Sequence, residues 1–177
     1  ARADLTFDHR LHPTEGRARR LYTELIRSLR TLDHPAGGGL EDVLAAFAAS
    51  VVAESGSTGA TTDAVARRLL KPIESMTGGF YFRDVLLRYC EAHVSNNEVV
   101  RSNVVRWLCG EIASTREARK ALDVDGFIDD ADAYDSLKVM ARFIRIAGFS
   151  GLLICLDELA VICGFPNRRA RLANYDQ

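Results

Sequence analysis

With 177 residues, 47% of them hydrophobic, the chain is long enough to bury a core, and one domain is the default reading. Its 23 basic and 24 acidic residues leave a net charge of −1, which excludes a global electrostatic drive toward nucleic acid or an anionic membrane. No stretch approaches the roughly 18 uninterrupted apolar residues of a membrane span, so no transmembrane helix and no membrane partner are expected.

In chain order, residues 3–7 read as a short strand, followed by a polar turn that ends at Pro13. Thr14 then caps a helix with apolar positions Leu21, Leu25, Leu29 and Leu32, its stripe widened by Ile26. Pro35 and the glycines 37–39 break the chain before a second helix carrying Leu40, Val43, Leu44, Phe47 and Val51. The Ser/Gly-rich stretch 55–59 is expected to be a mobile connector. Thr61 or Thr62 starts a third helix through Val65, Leu69 and Leu70, kinked or ended by Pro72.

After Gly78 and Gly79 comes an aromatic-rich helix using Phe82, Val85, Leu86 and Tyr89. Ser95-Asn96-Asn97-Glu98 and Ser114-Thr115-Arg116-Glu117 both have the form of a capping box. The first opens a helix with Val99, Val100, Val104, Trp107 and Leu108, and the second a short helix ending near Leu122. A loop rich in Asp and Gly follows. The last predicted helix uses Tyr134, Leu137, Met140, Ala141 and Ile144, with Gly148 as its terminator.

The helix leads into Leu152-Leu153-Ile154-Cys155-Leu156-Asp157-Glu158. Five apolar side chains without alternation fit a short strand buried on both faces of a parallel sheet. Carboxylates at the C-terminal end of such a strand sit where open α/β sheets bind ligands. Asp157 is therefore a candidate magnesium ligand, and Glu158 a candidate for orienting the attacking water in nucleoside triphosphate hydrolysis. The bland alternative is an acidic strand end with no chemistry. The tally is seven or eight helices and two strands, a mainly α chain with a small parallel two-stranded sheet.

Other constellations point away from chemistry. No G-x-x-x-x-G-K-[ST] occurs, and the glycine runs at 37–39, 55–59 and 78–79 lack the lysine that a phosphate cradle needs. They read as helix terminators or hinges. Cys90, Cys109, Cys155 and Cys163 form no C-x-x-C pair and read as buried thiols of a reducing cytosol. His9, His12, His34 and His93 are not spaced to join them in a zinc site. No G-x-S-x-G nucleophile elbow is present.

Arg17, Arg19, Arg20, Arg27 and Arg30 read as a solvated outer helix face. The two capped helices between Ser95 and Leu122 could form a helix-turn-helix, with Arg116, Arg119 and Lys120 toward DNA phosphates. Arg168, Arg169 and Arg171 could lie near a nucleotide or on an ordinary surface helix.

Three blocks together resemble a known family. They are residues 3–12, residues 21–29, and the stretch from Ala141 through Arg142-Phe143-Ile144-Arg145-Ile146-Ala147-Gly148 to Asp157-Glu158. They are similar to the P-loop ATP-binding proteins that accompany BREX-type phage-defence systems, AAA-like ATPases of the bacterial cytosol. The resemblance implies that Asp157 is the Walker B magnesium carboxylate and Glu158 the catalytic glutamate. It makes residues 1–13 a strand and loop, residues 14–148 a helical insertion, and residues 149–177 the Walker B strand and following helix of one domain.

On this resemblance the chain is an internal fragment of a P-loop α/β sheet protein without its Walker A loop. ATP and Mg2+ are expected as ligands of the full-length protein. Hydrolysis and bound cofactor are not expected in the fragment. Protein partners or a homo-oligomer are compatible with the same reading. The competing readings are a non-enzymatic helical interaction module and, less favoured, a DNA-binding regulator.

Overall fold

The computed structural model describes residues 18–155, and these fold into seven helices. They are α1 (Ala18–Arg27), α2 (Gly39–Thr58), α3 (Thr62–Glu74), α4 (Gly79–Val94), α5 (Glu98–Leu108), α6 (Thr115–Leu122) and α7 (Ala133–Ile146). The predicted strand at residues 3–7, Thr14, and the helix expected after the Walker B run with Arg168, Arg169 and Arg171 lie outside the described residues. Among the described residues no strand is formed.

α4 is the axis of the bundle. It packs on α2, α3, α5 and α7, which is why Phe82, Val85, Leu86, Leu87, Tyr89 and Cys90 on several of its faces are all buried. Two edge-to-face aromatic pairs tie neighbouring layers together. Phe82 meets Trp107 of α5 at 5.1 Å, and Phe47 of α2 meets Phe143 of α7 at 5.3 Å. The indole N–H of Trp107 donates to the Gly126 carbonyl at 2.8 Å, so the ring is buried without an orphaned donor.

Caps set most of the helix ends. The Thr61 hydroxyl accepts from Ala64 N, and Ser114 accepts from Glu117 N. At α5 the expected cap moves: Asn97, not Ser95, accepts from Val100 N, and Ser95 closes α4 instead. Asn96 takes the left-handed conformation between them, with Asn97 N donating to Ala92 O and Asn96 N to His93 O. This Schellman reversal needs a residue tolerant of positive φ, and asparagine supplies it. Local capping pattern alone cannot tell which of two nearby polar residues closes one helix and which opens the next.

Three further expectations are corrected. Residues 55–58 are the last turn of α2, not a mobile connector, because Ser55 is buried and its hydroxyl donates to Val51 O; the turn ends at left-handed Gly59. Pro72, expected to kink or end α3, lies inside it two residues before its end at Glu74, which that expectation allows. α1 ends at Arg27, so Leu29 is buried from the following turn while Leu32 is 67% exposed. Val99 and Tyr134, assigned to apolar stripes, also face solvent, at the N-terminal ends of α5 and α7.

Two glycines give opposite expectations. A Cβ on Gly79 would lie 1.8 Å from the Ile73 carbonyl oxygen, because the first turn of α4 is pressed onto the end of α3. Gly79→Ala is expected to lower stability by about 1–3 kcal/mol or more. A Cβ on Gly56, in the last turn of α2, meets nothing within 4 Å. Gly56→Ala is expected to raise stability by roughly 0.4–1 kcal/mol. Urea unfolding midpoints of the two variants check both signs.

His34, beyond α1, meets Asp42 in the first turn of α2 at 2.7 Å, and Asp42 also accepts from the Thr31 hydroxyl. The hydrogen bond and charge of Asp42 raise the His34 pKa. The stabilisation this brings is complete below the unfolded histidine value of about 6.5 and fades as pH rises through the higher folded value. Asp42→Asn should lower the His34 titration midpoint, read by NMR; an unmoved midpoint would remove Asp42 as the cause.

Candidate functional site

The site foreseen from the sequence lies where α7 hands over to the apolar run. α7 is anchored by a face of Ala133, Ser136, Val139, Met140, Phe143 and Ile144, all buried. Ahead of its first turn, the Asp129 carboxylate accepts from Ala131 N at 2.8 Å and Asp132 N at 3.0 Å. Burial, and then the neighbouring Asp129, raise the Asp132 carboxyl above the ordinary range.

At the other end the chain reverses. Gly148 has φ +98°, Gly148 N donates to Arg145 O at 3.1 Å, and Phe149 N donates to Ile144 O at 3.2 Å. That pair of bonds is a Schellman motif, and it satisfies two carbonyls that the end of a helix leaves open. A Cβ at Gly148 would have open space, so backbone conformation and not crowding calls for glycine. Phe149, Leu152 and Ile154 then pack against the helical core.

Leu153 is 53% exposed and Cys155 is exposed. Burial thus alternates along residues 152–155, the period of an extended chain lying on one surface. The expectation of a strand buried on both faces is corrected for the described part: the helices cover one side. The expectation of four buried thiols fails at Cys155. Cys90 and Cys109 are buried as foreseen, and desolvation pushes both thiols up to about 12. Leu156, Asp157, Glu158 and Cys163 lie outside the described residues.

The remaining candidates are sorted by their contacts. Gly37 and Gly38 are left-handed turn residues, and Gly39 N donates to Leu29 O at 2.9 Å. These are helix-terminating roles, as read. The basic face of α1 is only partly a solvated surface. Arg20 is exposed, but Arg19 turns inward, its Nε donating to Gly110 O at 2.8 Å and its Nη2 to Ile112 O at 3.2 Å. Arg27 Nε meets Glu111 at 2.7 Å. Tyr22, absent from the predicted stripe, is buried, and its hydroxyl donates to Leu108 O at 2.7 Å. Periodicity could have placed Tyr22 beside Leu25 and Ile26, but nothing local marks Arg19, because its acceptors are more than 90 positions away.

The α5–α6 pair exists, with Arg116, Arg119 and Lys120 all exposed. Its cations are interleaved with acids: Arg119 pairs with Asp125 at 2.5 Å, and Arg106 with Glu117 at 2.8 Å. Two shallow hollows are present. One is lined by Ser75, Met76, Thr77, Asp135 and Lys138, and the other by Arg67, Asp84, Arg88, Glu91, Asp123 and their neighbours. Lys138 pairs with Asp135, Arg67 with Asp63, and Arg88 with Glu91 and Asp123. Neither hollow offers a phosphate an unneutralised cation. Among the described residues no group of three or more His, Cys, Asp or Glu is placed to hold a metal ion, and no helix is long and apolar enough to cross a membrane.

The described body is mainly helical, and its last helix leads into an apolar run that is followed in the sequence by two adjacent acids. A protein-family match supplies the class. The family of BREX system ATP-binding proteins BrxC/D matches residues 1–177, so the chain belongs to that family. No curated protein and no solved structure matches it.

The exposure pattern has a direct chemical readout. In the native protein a maleimide reagent should modify Cys155, while Cys90 and Cys109 react only after unfolding. Peptide mass spectrometry of the labelled chain checks this; early labelling of Cys90 or Cys109 would contradict the packing of α4 and α5.

Proposed function

We propose that residues 152–156 are the Walker B strand of an ATP site, with Asp157 as the magnesium carboxylate and Glu158 as the catalytic carboxylate. The observation that carries this is the family match to ATP-binding proteins across all 177 residues, including the stretch that ends in these two acids. The backbone supports it. The chain leaves α7 through a tight reversal and continues extended, with one apolar side on the helices and Leu153 and Cys155 left outward. On this reading the strand at residues 3–7 would pair along a backbone edge of this segment, giving the two-stranded parallel remnant.

The donor chemistry fits. Magnesium takes hard oxygen ligands, and a single carboxylate with waters and phosphate oxygens is its usual set. Asp157 would hold Mg2+, whose charge would offset that developing on the phosphates. Adjacent residues of an extended segment face opposite sides. Asp157 can therefore address the metal while Glu158 holds the attacking water and accepts its proton.

None of the 177 residues forms a G-x-x-x-x-G-K-[ST] loop. On our reading the phosphates are held by a loop outside this sequence, and these residues alone bind no cofactor and do not hydrolyse ATP. The protein is then a cytosolic, phage-defence ATPase in which 14–148 is a helical insertion between two core strands.

The test uses protein that includes the phosphate loop. Glu158→Gln should lower turnover by about 10²-fold or more, the scale of a lost general base, with ATP affinity nearly unchanged. Asp157→Asn should weaken the magnesium dependence of nucleotide binding. Turnover unaffected by Glu158→Gln would refute the assignment.

A further inference from the structure

The outer face of α7 differs from those of its neighbours in its charges. α3, α4 and α5 each hold an arginine against an acid about one turn away: Arg67 with Asp63, Arg88 with Glu91 and Arg101 with Glu98. On α7 that arrangement stops at Lys138 and Asp135. Between Asp135 and Asp157 the sequence carries Lys138, Arg142 and Arg145 and no acid. Arg142 and Arg145 are exposed, and among the described residues neither side chain has an acidic partner. Arg145 lies in the last turn, where the helix dipole favours a cation. Arg142 lies further in, so the dipole does not account for it.

The same side carries aromatic surface. Tyr134, Lys138, Arg142 and Arg145 are spaced four, four and three residues apart, which aligns them along roughly 16 Å of helix. Tyr134 is 68% exposed, and Lys138 Nζ stands 4.7 Å from its ring centre. Across the hollow lined by Met76, Thr77 and Lys138, α4 begins with Phe80 and Tyr81, 52% and 38% exposed and edge-to-face at 5.8 Å. Arg83 covers one face of Phe80 at 4.4 Å, and Tyr81 is seated on Gly126, where a Cβ would meet its ring at 2.5 Å. Among the described residues no other Phe, Tyr or Trp ring is exposed. Aromatic residues, Met and Arg are the side chains enriched in protein interfaces.

We propose that this face of α7, with the start of α4, docks an acidic amphipathic helix of a partner protein, laid along the α7 axis. Its carboxylates meet Arg142 and Arg145, and its apolar side chains meet Met76, Phe80, Tyr81 and Tyr134. A straight stripe recurring every third or fourth residue is what one helix presents to another. The hollow is about 280 Å³, below the roughly 300–1,000 Å³ of small-molecule sites, and suits one anchoring side chain. Two unpaired cations also fall far short of the roughly 6–10 phosphate contacts on which nucleic-acid affinity is built. Docking here requires neither ATP nor the carboxylates of Asp157 and Glu158.

The test uses the 177-residue chain and a synthetic helical peptide of about 15 residues, with glutamates along one side and leucines beside them. Backbone amide shifts, followed by NMR, should change at residues 75–81 and 134–145 and stay unchanged at 43–51 in α2. Arg142→Glu combined with Arg145→Glu should weaken the peptide about ten-fold. A peptide with lysines in place of the glutamates should then bind the doubly reversed chain better than the native one. Both arginines are exposed and unpaired, so the fold should survive their reversal. Phe80→Ala should weaken the acidic peptide with all charges intact, and Lys120→Glu, on α6, should leave it unaffected. Shifts elsewhere or nowhere, affinity indifferent to the charge reversal, or tighter binding of oligo-dT than of the peptide would each overturn the proposal.

Discussion

The carbonyls at the C-terminal end of α5 are the groups on which the arrangement turns. A helix leaves its last four carbonyls without intrahelical donors, and at a buried end each must find a partner or cost free energy. The Schellman reversal at Gly110 serves Arg106 and Trp107. Leu108, and the loop carbonyls of Gly110 and Ile112 beyond it, are served by Tyr22 and Arg19. Removing α1 would therefore expose apolar core and also strand three backbone acceptors. Tyr22 shows the same constraint from its own side: burial raises its pKa well above the ordinary phenol value, so the hydroxyl stays a donor.

With α1 held there, the remaining packing follows. α1 lies against α7, α7 against α3 and α4, and the Phe47–Phe143 contact brings α2 to the same helix. α7 is thus packed against α1, α3 and α4 and touched by α2. That rigidity matters at its C-terminal end, where the chain turns at Gly148 and lays Phe149, Leu152 and Ile154 on the core. A helix able to rock would not deliver the following residues at a defined height. The acids that the family membership makes interesting come two and three residues after Cys155, beyond the described residues, and the described start of the run that leads to them is fixed by packing.

The chain belongs to the BREX system ATP-binding family, while the two hollows lined by described residues offer a phosphate no unneutralised cation. Most of the surface cations form local ion pairs with acids, several at one-turn spacing. Such exposed pairs contribute little to stability individually. They do cancel local fields, which accounts for the lack of a phosphate-attracting cluster and weakens the case for DNA binding through α6.

Much of this was readable in advance for a simple reason. A helix that buries one face repeats its apolar residues at a fixed interval, and Leu40, Val43, Leu44, Phe47 and Val51 or Val139, Met140, Phe143 and Ile144 display that interval without reference to anything else. The sequence by itself also determined the helix stop at Gly148, because positive φ is a local demand that glycine meets, and it singled out Asp157 and Glu158 at the end of their apolar run. Only the tertiary structure decided whether Ser95 or Asn97 caps α5, whether residues 55–58 stay helical, that Arg19 turns inward, and that Leu153 and Cys155 face outward. In each of those cases the deciding partner is a carbonyl, a side chain or a packing surface supplied by the folded chain, and no local rule of spacing encodes which one will arrive.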